Sequence, residues 1–258
     1  MTFRRKRMPT TKDSQFIQEA LKMVQEAEGE GITLRIIGAV AFRIHCPKFR
    51  HLLDAMERRI TDMDFAGYRK QRVTIINFFQ NRGYSIDNAM LLLNERLTFR
   101  NGSGAHVDVF LDKLSMCHTI DFKNRLAQDT PTFTLADLLM EKMQIVQINE
   151  KDLKDTIVLL REHPVGEGDA ETVNSEYITN DLAADWGFHY TFTTNLKKVL
   201  EFLPTYPALT DEDRKDIESK ITILLDRIEA TPKSARWKMR AKVGTKSKWY
   251  RDVEESYG

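Results

Sequence analysis

Ile60-Thr61-Asp62-Met63-Asp64-Phe65 is the stretch whose reading decides the fold. On an extended strand the side-chain period of two puts Asp62 and Asp64 on one face, while Met63 and Phe65 point the other way into a core. Two neighbouring carboxylates repel, so the pair is comfortable only when it is solvated, shares a proton or holds a cation. Hard oxygen ligands at a strand end suit Mg²⁺ or Mn²⁺, above all where a substrate phosphate completes the octahedron. An arbitrary Asp-x-Asp is more often an exposed edge or turn, so the rest of the chain decides what this one is.

Upstream, Phe16, Ile17, Ala20, Leu21 and Val24 recur at three and four and predict an amphipathic helix over residues 14–28, closed by Gly29 and Gly31. Residues 32–37 form a β-branched run that reads as a buried strand. It stops at Gly38-Ala39 before the apolar Val40, Ala41, Phe42 and Ile44. A strand, a glycine turn and a helix aim backbone N–H groups at one spot, a ready site for an anion. Pro47 breaks this helix, and Leu52, Leu53 and Met56 mark a short one before Arg58-Arg59.

Downstream, residues 69–82 read as a helix with Val73, Ile76 and Phe79 inward and Gly83 as its cap. Tyr84, Ile86 and residues 90–99 read as strands, and Asn101-Gly102-Ser103-Gly104 as the turn into a strand over residues 105–111. In that last strand Val107, Val109 and Leu111 share one face and His106, Asp108 and Phe110 the other. Asp108 is thereby a third acid that a neighbouring strand can bring beside Asp62 and Asp64.

After Thr130-Pro131 the pattern turns helical, which divides the chain into an α/β unit over residues 1–130 and a helical unit over residues 131–258. Thr134 and Asn149 are good N-caps for helices over residues 135–148 and 150–161, and three more helical patterns follow, separated at Trp186-Gly187 and at Pro204 and Pro207. From Lys233 to Arg251, eight basic residues are interleaved with Trp237, Trp249 and Tyr250 without an acid. Two readings stand side by side: a surface binding RNA by phosphate contacts and stacking, or a basic strand pair whose tryptophans pack onto the helices.

The 258 residues carry 39 basic and 38 acidic side chains, a balance without global steering toward nucleic acid or membrane. No run approaches the roughly 20 apolar residues of a membrane span, and the basic start Met1-Thr2-Phe3-Arg4-Arg5-Lys6-Arg7 lacks the apolar region of a secretion signal. The expectation is a cytoplasmic protein, no membrane, with Cys46 and Cys117 reduced. The six histidines show neither a triad nor metal-ligand spacing.

Gly38-Ala39, Asp62-Met63-Asp64 and Asp108, in this order, resemble the nucleotidyltransferase superfamily: a glycine turn, a strand bearing Asp-x-Asp, a third acid on a neighbouring strand. The helical stretch holding Lys142, Lys151 and Asp155 resembles the lysine-to-aspartate motif of the AbiEii-type branch. Asp185-Trp186-Gly187 and the stretch from Pro232 to Trp237 are similar to a subgroup of uncharacterised bacterial proteins carrying this domain, so the likeness covers nearly the whole chain. The resemblance implies a mixed α/β sheet with flanking helices, followed by a helical half. It implies transfer of a nucleoside monophosphate from a nucleoside triphosphate, with Mg²⁺ or Mn²⁺ held by Asp62, Asp64 and Asp108. Gly38 and Ala39 would offer N–H groups to the triphosphate, with Arg59 and Thr61 assisting. Lys142 and Lys151 would clamp phosphate oxygens, and Asp155 would join the site or pair with Lys151. The acceptor implied is RNA, tRNA-like, or protein, and a toxin role would bring a cognate antitoxin as partner. A nucleotide-binding module without turnover is the alternative. Many members have Gly-Gly or Gly-Ser where this chain has Gly38-Ala39; alanine keeps the N–H and loses the hydroxyl contact.

Overall fold

The computed structural model describes residues 12–87 and 95–253; the basic start at residues 1–7 and positions 90–94 of the expected strand lie outside them. After helix α1 (Lys12–Gly29), a mixed sheet assembles from β1 (Leu34–Ile37), β2 (Met63–Gly67), β3 (Tyr84–Ile86), β4 (Arg96–Asn101) and β5 (His106–Leu111), in the spatial order β1-β2-β5-β4-β3. The central pair β2 and β5 is parallel and its neighbours run antiparallel. This is the α/β class expected, with helices α2 (Gly38–His45), α3 (Arg50–Ala55) and α4 (Arg72–Gln80) between the strands.

One sheet face is apolar because alternation places Phe65, Leu97, Phe99, Val107 and Val109 together, all buried. Phe79 of α4 closes it, stacked on Phe99 with ring centroids 4.5 Å apart and tilted against Phe65 at 6.2 Å. The inward stripe of α4 is Ile75, Phe78 and Phe79, while Val73 is 67% exposed, which corrects the expected face. A strict spacing of three drifts by about 60° per step on a helix of 3.6 residues per turn, so Val73 and Phe79 cannot share a face.

Residues 131–133 run along the outer edge of β1, where the Ile36 N–H donates to Pro131 O at 2.9 Å and the Phe133 N–H to Ile36 O at 3.1 Å. They lead into α5 (Leu135–Met143), all of whose residues are buried, and then α6 (Glu150–Glu162). Thr134 and Asn149 cap these helices, accepting from the N–H groups of Asp137 and Asp152 at 3.3 and 3.1 Å. The helical half continues with α7 (Ser175–Ala184), α8 (Trp186–Phe202), α9 (Asp211–Ala230) and α10 (Ala235–Val243). Two small pairings were not legible in advance: the hairpin β6 (Lys113–Ser115) and β7 (Thr119–Asp121), and β8 (Val165–Gly166) beside β9 (Val173–Asn174). Buried apolar side chains from both sides of residue 130 belong to one cluster.

Trp186-Gly187, expected as a break, opens α8 instead, with Asp185 as its N-cap accepting from the Phe188 N–H at 3.1 Å. Glycine stands at 187 because a Cβ there would meet the Trp249 carbonyl oxygen at 2.6 Å. The basic tail lies against α8: Trp249 Nε1 donates to Thr191 Oγ1 at 3.1 Å, and its ring meets Trp186 and Tyr190 edge-on. Trp237 Nε1 donates to Leu182 O at 3.1 Å. The tryptophans pack onto helices, as in the second reading of the tail, but from a helix and an extended end rather than a strand pair. Among the described residues no helix is long and apolar enough to cross a membrane.

Candidate active site

The site begins where β1 ends. Ile37 is the register partner of Asp64, so the next residue, Gly38, turns directly over that carboxylate. Gly38 has φ +63°, and a Cβ built on it would lie 2.5 Å from Asp64 Oδ2. Both observations demand glycine: the left-handed region is costly for any residue with a Cβ, and here no room exists for one. Ala39 follows inside α2 and is buried.

Asp62 lies just before β2, half-buried, and accepts from Thr61 Oγ1 at 3.1 Å. Asp64 and Asp108 are register partners on the parallel strands β2 and β5, and Asp62 stands two residues before Asp64, close enough for the charges of both Asp62 and Asp108 to act on it. Burial pushes the Asp64 carboxyl well above the usual carboxylate range; the charges of Asp62, Asp108 and Glu141 push the same way, and Lys142 opposes them. Such a carboxylate gains from a cation beside it.

Asp108 is already engaged. Arg96 Nη2 donates to its Oδ2, Thr98 Oγ1 donates to its Oδ1 at 2.6 Å, and His106 Nε2 stands 3.5 Å from Oδ1. Consistently, among the described residues no set of three or more His, Cys, Asp or Glu side chains is arranged to hold a metal ion. Asp62 and Asp64 fit the way Mg²⁺ is commonly bound, by one or two carboxylates with substrate phosphates and water completing the octahedron.

The helical half contributes a buried ionic cluster. Lys142 Nζ lies 3.2 Å from Glu141 Oε1, 3.2 Å from Asp152 Oδ1 and 3.6 Å from Asp155 Oδ2. Burial alone would lower the affinity of Lys142 for its proton; the charges of Glu141, Asp152 and Asp155 outweigh it and raise the pKa. Arg58 grips Asp155 with two arms, Nε to Oδ1 at 3.0 Å and Nη2 to Oδ2 at 2.8 Å. Glu141 Oε2 accepts the Gly38 N–H at 3.1 Å, so a backbone donor expected to face phosphate has a protein acceptor. Burial raises the pKa of the Glu141 carboxyl, against the pull of Lys142 and of that N–H.

The remaining expected residues lie further out. Lys151 is exposed on α6, and Asp155 pairs with Arg58 and Lys142 rather than with it. The reason is energetic: a surface pair four apart on a helix contributes about 0.3–0.5 kcal/mol, whereas a carboxylate as buried as Asp155 loses several kcal/mol unless a buried cation meets it. Arg59 and Thr61 are exposed and line a cleft of about 420 Å³ with Lys12, Asp13 and Ile60. Five residues of the site, Arg58, Arg96, Thr98, Glu141 and Asp152, carry no site signal in the sequence. Glu141 adjoins Lys142 and Asp152 lies three before Asp155, but only tertiary contact distinguishes them from solvated helix charges.

The chain matches no protein-family model and no curated protein. Among solved structures it is similar to the crystal structure of an antigenic nucleotidyltransferase-like protein from Paracoccidioides brasiliensis, at 13% identity and a TM-score of 0.42, over 89% of this chain and 98% of that one.

Proposed function

We propose that this chain is an Mg²⁺- or Mn²⁺-dependent nucleotidyltransferase that moves a nucleoside monophosphate from a nucleoside triphosphate to an acceptor hydroxyl. The observation that carries this reading is the close approach of the Gly38 turn to Asp64, itself in register with Asp108. Residues 70 apart in sequence support the reading together: the Gly38 turn stands over Asp64, and Asp64 is the register partner of Asp108.

Bound cations would neutralise the triphosphate and lower the pKa of the attacking hydroxyl. Asp62 and Asp64 would hold the cation side of the substrate. The acceptor oxygen bonds to the α-phosphorus as the bond from phosphorus to the bridging oxygen breaks; pyrophosphate leaves and the hydroxyl proton passes to Asp108 or to water. Lys142 supplies fixed positive charge beside Asp64. Ala39 follows the turn without a hydroxyl to offer the triphosphate. We extend the reading to RNA, tRNA-like, or protein as acceptor and to a toxin held in check by a cognate antitoxin, on the likeness of the Lys142, Lys151 and Asp155 spacing alone.

Transfer of label from each α-labelled nucleoside triphosphate, with Mg²⁺ or Mn²⁺, to total RNA and to lysate protein tests this beside Asp62→Ala and Asp64→Ala. Label that depends on both aspartates supports the reading and names the acceptor class. Bound nucleotide with no label in any reaction favours the second reading, a nucleotide-binding module. Two contacts support that second reading: Arg96 on Asp108 and Glu141 on the Gly38 N–H, each filling a group that turnover needs.

A further inference from the structure

Asp108 stands on the same strand face as His106 and Phe110, and the register of β4 against β5 sets Arg96, Thr98 and Arg100 opposite Phe110, Asp108 and His106. Arg96 and His106 reach the third acid, Arg96 Nη2 on Oδ2 and His106 Nε2 3.5 Å from Oδ1, while Arg100 is exposed further along the same face. Arg96 makes its ion pair through one arm only: Nη2 donates to Asp108 Oδ2, while Arg96 Nε, buried, has no hydrogen-bond acceptor. The guanidinium lies 5.5 Å from the Phe110 ring centroid, an aromatic face that can hold it when the carboxylate is taken. The second oxygen of Asp108 is fixed by Thr98, which is buried. Thr98 therefore holds the carboxylate in place whether or not Arg96 is on it.

We propose that Arg96 is the exchangeable counter-ion of Asp108: the guanidinium and a divalent cation compete for Oδ2, so that Arg96 sets the affinity with which the third acid takes metal. This deepens the nucleotidyltransferase reading and rests on its metal site. The physical basis is charge balance. A guanidinium and a divalent cation cannot occupy one carboxylate oxygen together, and a charge-assisted hydrogen bond of ordinary strength corresponds to about tenfold or more in a competing equilibrium. A one-armed pair with an unfilled Nε is also weaker and easier to exchange than the two-armed pair that Arg58 makes with Asp155.

The test is equilibrium Mn²⁺ binding to the full chain, read by the electron paramagnetic resonance of free Mn²⁺ and by calorimetry, with no nucleotide present. Arg96→Ala is expected to tighten Mn²⁺ binding about tenfold, and Arg96→Ala with Asp108→Asn to abolish that gain. Arg100→Ala, which removes an exposed charge from the same face of β4, measures the general effect of lost positive charge and is expected to change affinity less than twofold. Arg96→Lys keeps the charge and is expected to stay close to the parent. Equal Mn²⁺ affinity in the parent and Arg96→Ala overturns the proposal, as does a gain that survives Asp108→Asn or is matched by Arg100→Ala. Mn²⁺ binding by none of the proteins overturns the metal site itself, and with it the reading of the preceding section. Circular dichroism of each variant confirms that the sheet is retained.

Discussion

Gly38 is folded so closely over Asp64 that a methyl group on its Cα would stand 2.5 Å from Oδ2. The turn that ends β1 and the acid in the second position of β2 are therefore one piece of architecture, and neither tolerates change independently of the other.

Gly38→Ala combines a left-handed backbone, costing roughly 1–2 kcal/mol for a residue with a Cβ, with a clash that pushes the Asp64 carboxylate aside. We expect a loss of about 2 kcal/mol in urea unfolding together with loss of nucleotidyl transfer. Gly29→Ala is the control: a Cβ there meets nothing within 4 Å, so stability should hold or rise slightly.

Arg58 and Asp155 are both buried, at 6% and 1% exposed, and bonded through two arms. Arg58→Met leaves Asp155 with Lys142 alone and is expected to cost about 3–5 kcal/mol. Arg58→Met with Asp155→Leu should recover more than half of that in a double-mutant cycle, since the penalty is the orphaned charge rather than the lost attraction. Additive losses would show that the pair is not coupled.

Asp64 carries a raised pKa from burial and from Asp62, Asp108 and Glu141. The folded chain then holds a proton that the unfolded chain has released, so stability contributed by this group is present at low pH and falls as pH rises above the ordinary aspartate value near 4. Asp64→Asn should raise the midpoint of thermal unfolding in metal-free buffer at pH 7, flatten its decline above pH 4, and abolish stabilisation by Mn²⁺. A fall in the metal-free midpoint would contradict the repulsion argument.

His118 Nε2 meets Thr191 Oγ1 at 2.8 Å, and the same hydroxyl accepts from Trp249 Nε1, so the imidazole supports the seat of the tail. Burial depresses the His118 pKa to about 4, against the pull of Asp185, and His189 is likewise depressed by burial to about 4. The unfolded chain takes up these protons near pH 6.5 and the folded chain resists until about 4, so stability is full above pH 6.5 and drops between those values. Tryptophan fluorescence followed through acid titration should report the tail loosening in this window, and His118→Gln should shrink the pH dependence.

Much of this architecture was legible because it depends on local periodicity. The alternation around Asp62-Met63-Asp64 and through Val107, Asp108 and Val109 determined strands with acids on one face. Gly38 after a β-branched run determined a turn, and Thr134 and Asn149 determined helix starts. The inward face of α4 differs from the expected one because Val73, Ile76 and Phe79, at a strict spacing of three, drift around a helix of 3.6 residues per turn. The hairpin of β6 and β7 leaves no signal in the sequence because its strands are too short to alternate visibly.

What the sequence by itself determined, then, was the position of the acids, the glycine turn and the caps, because strand and helix periods are properties of neighbouring residues. Which charges meet was decided only by the tertiary structure. Nothing in the spacing says that Arg58 takes Asp155 away from Lys151, that Glu141 reaches the Gly38 N–H, or that Arg96 sits on Asp108. Ion pairs form between groups that packing removes from water together, and burial of α5 and α6 against α2 and α3, rather than distance along the chain, selected those partners.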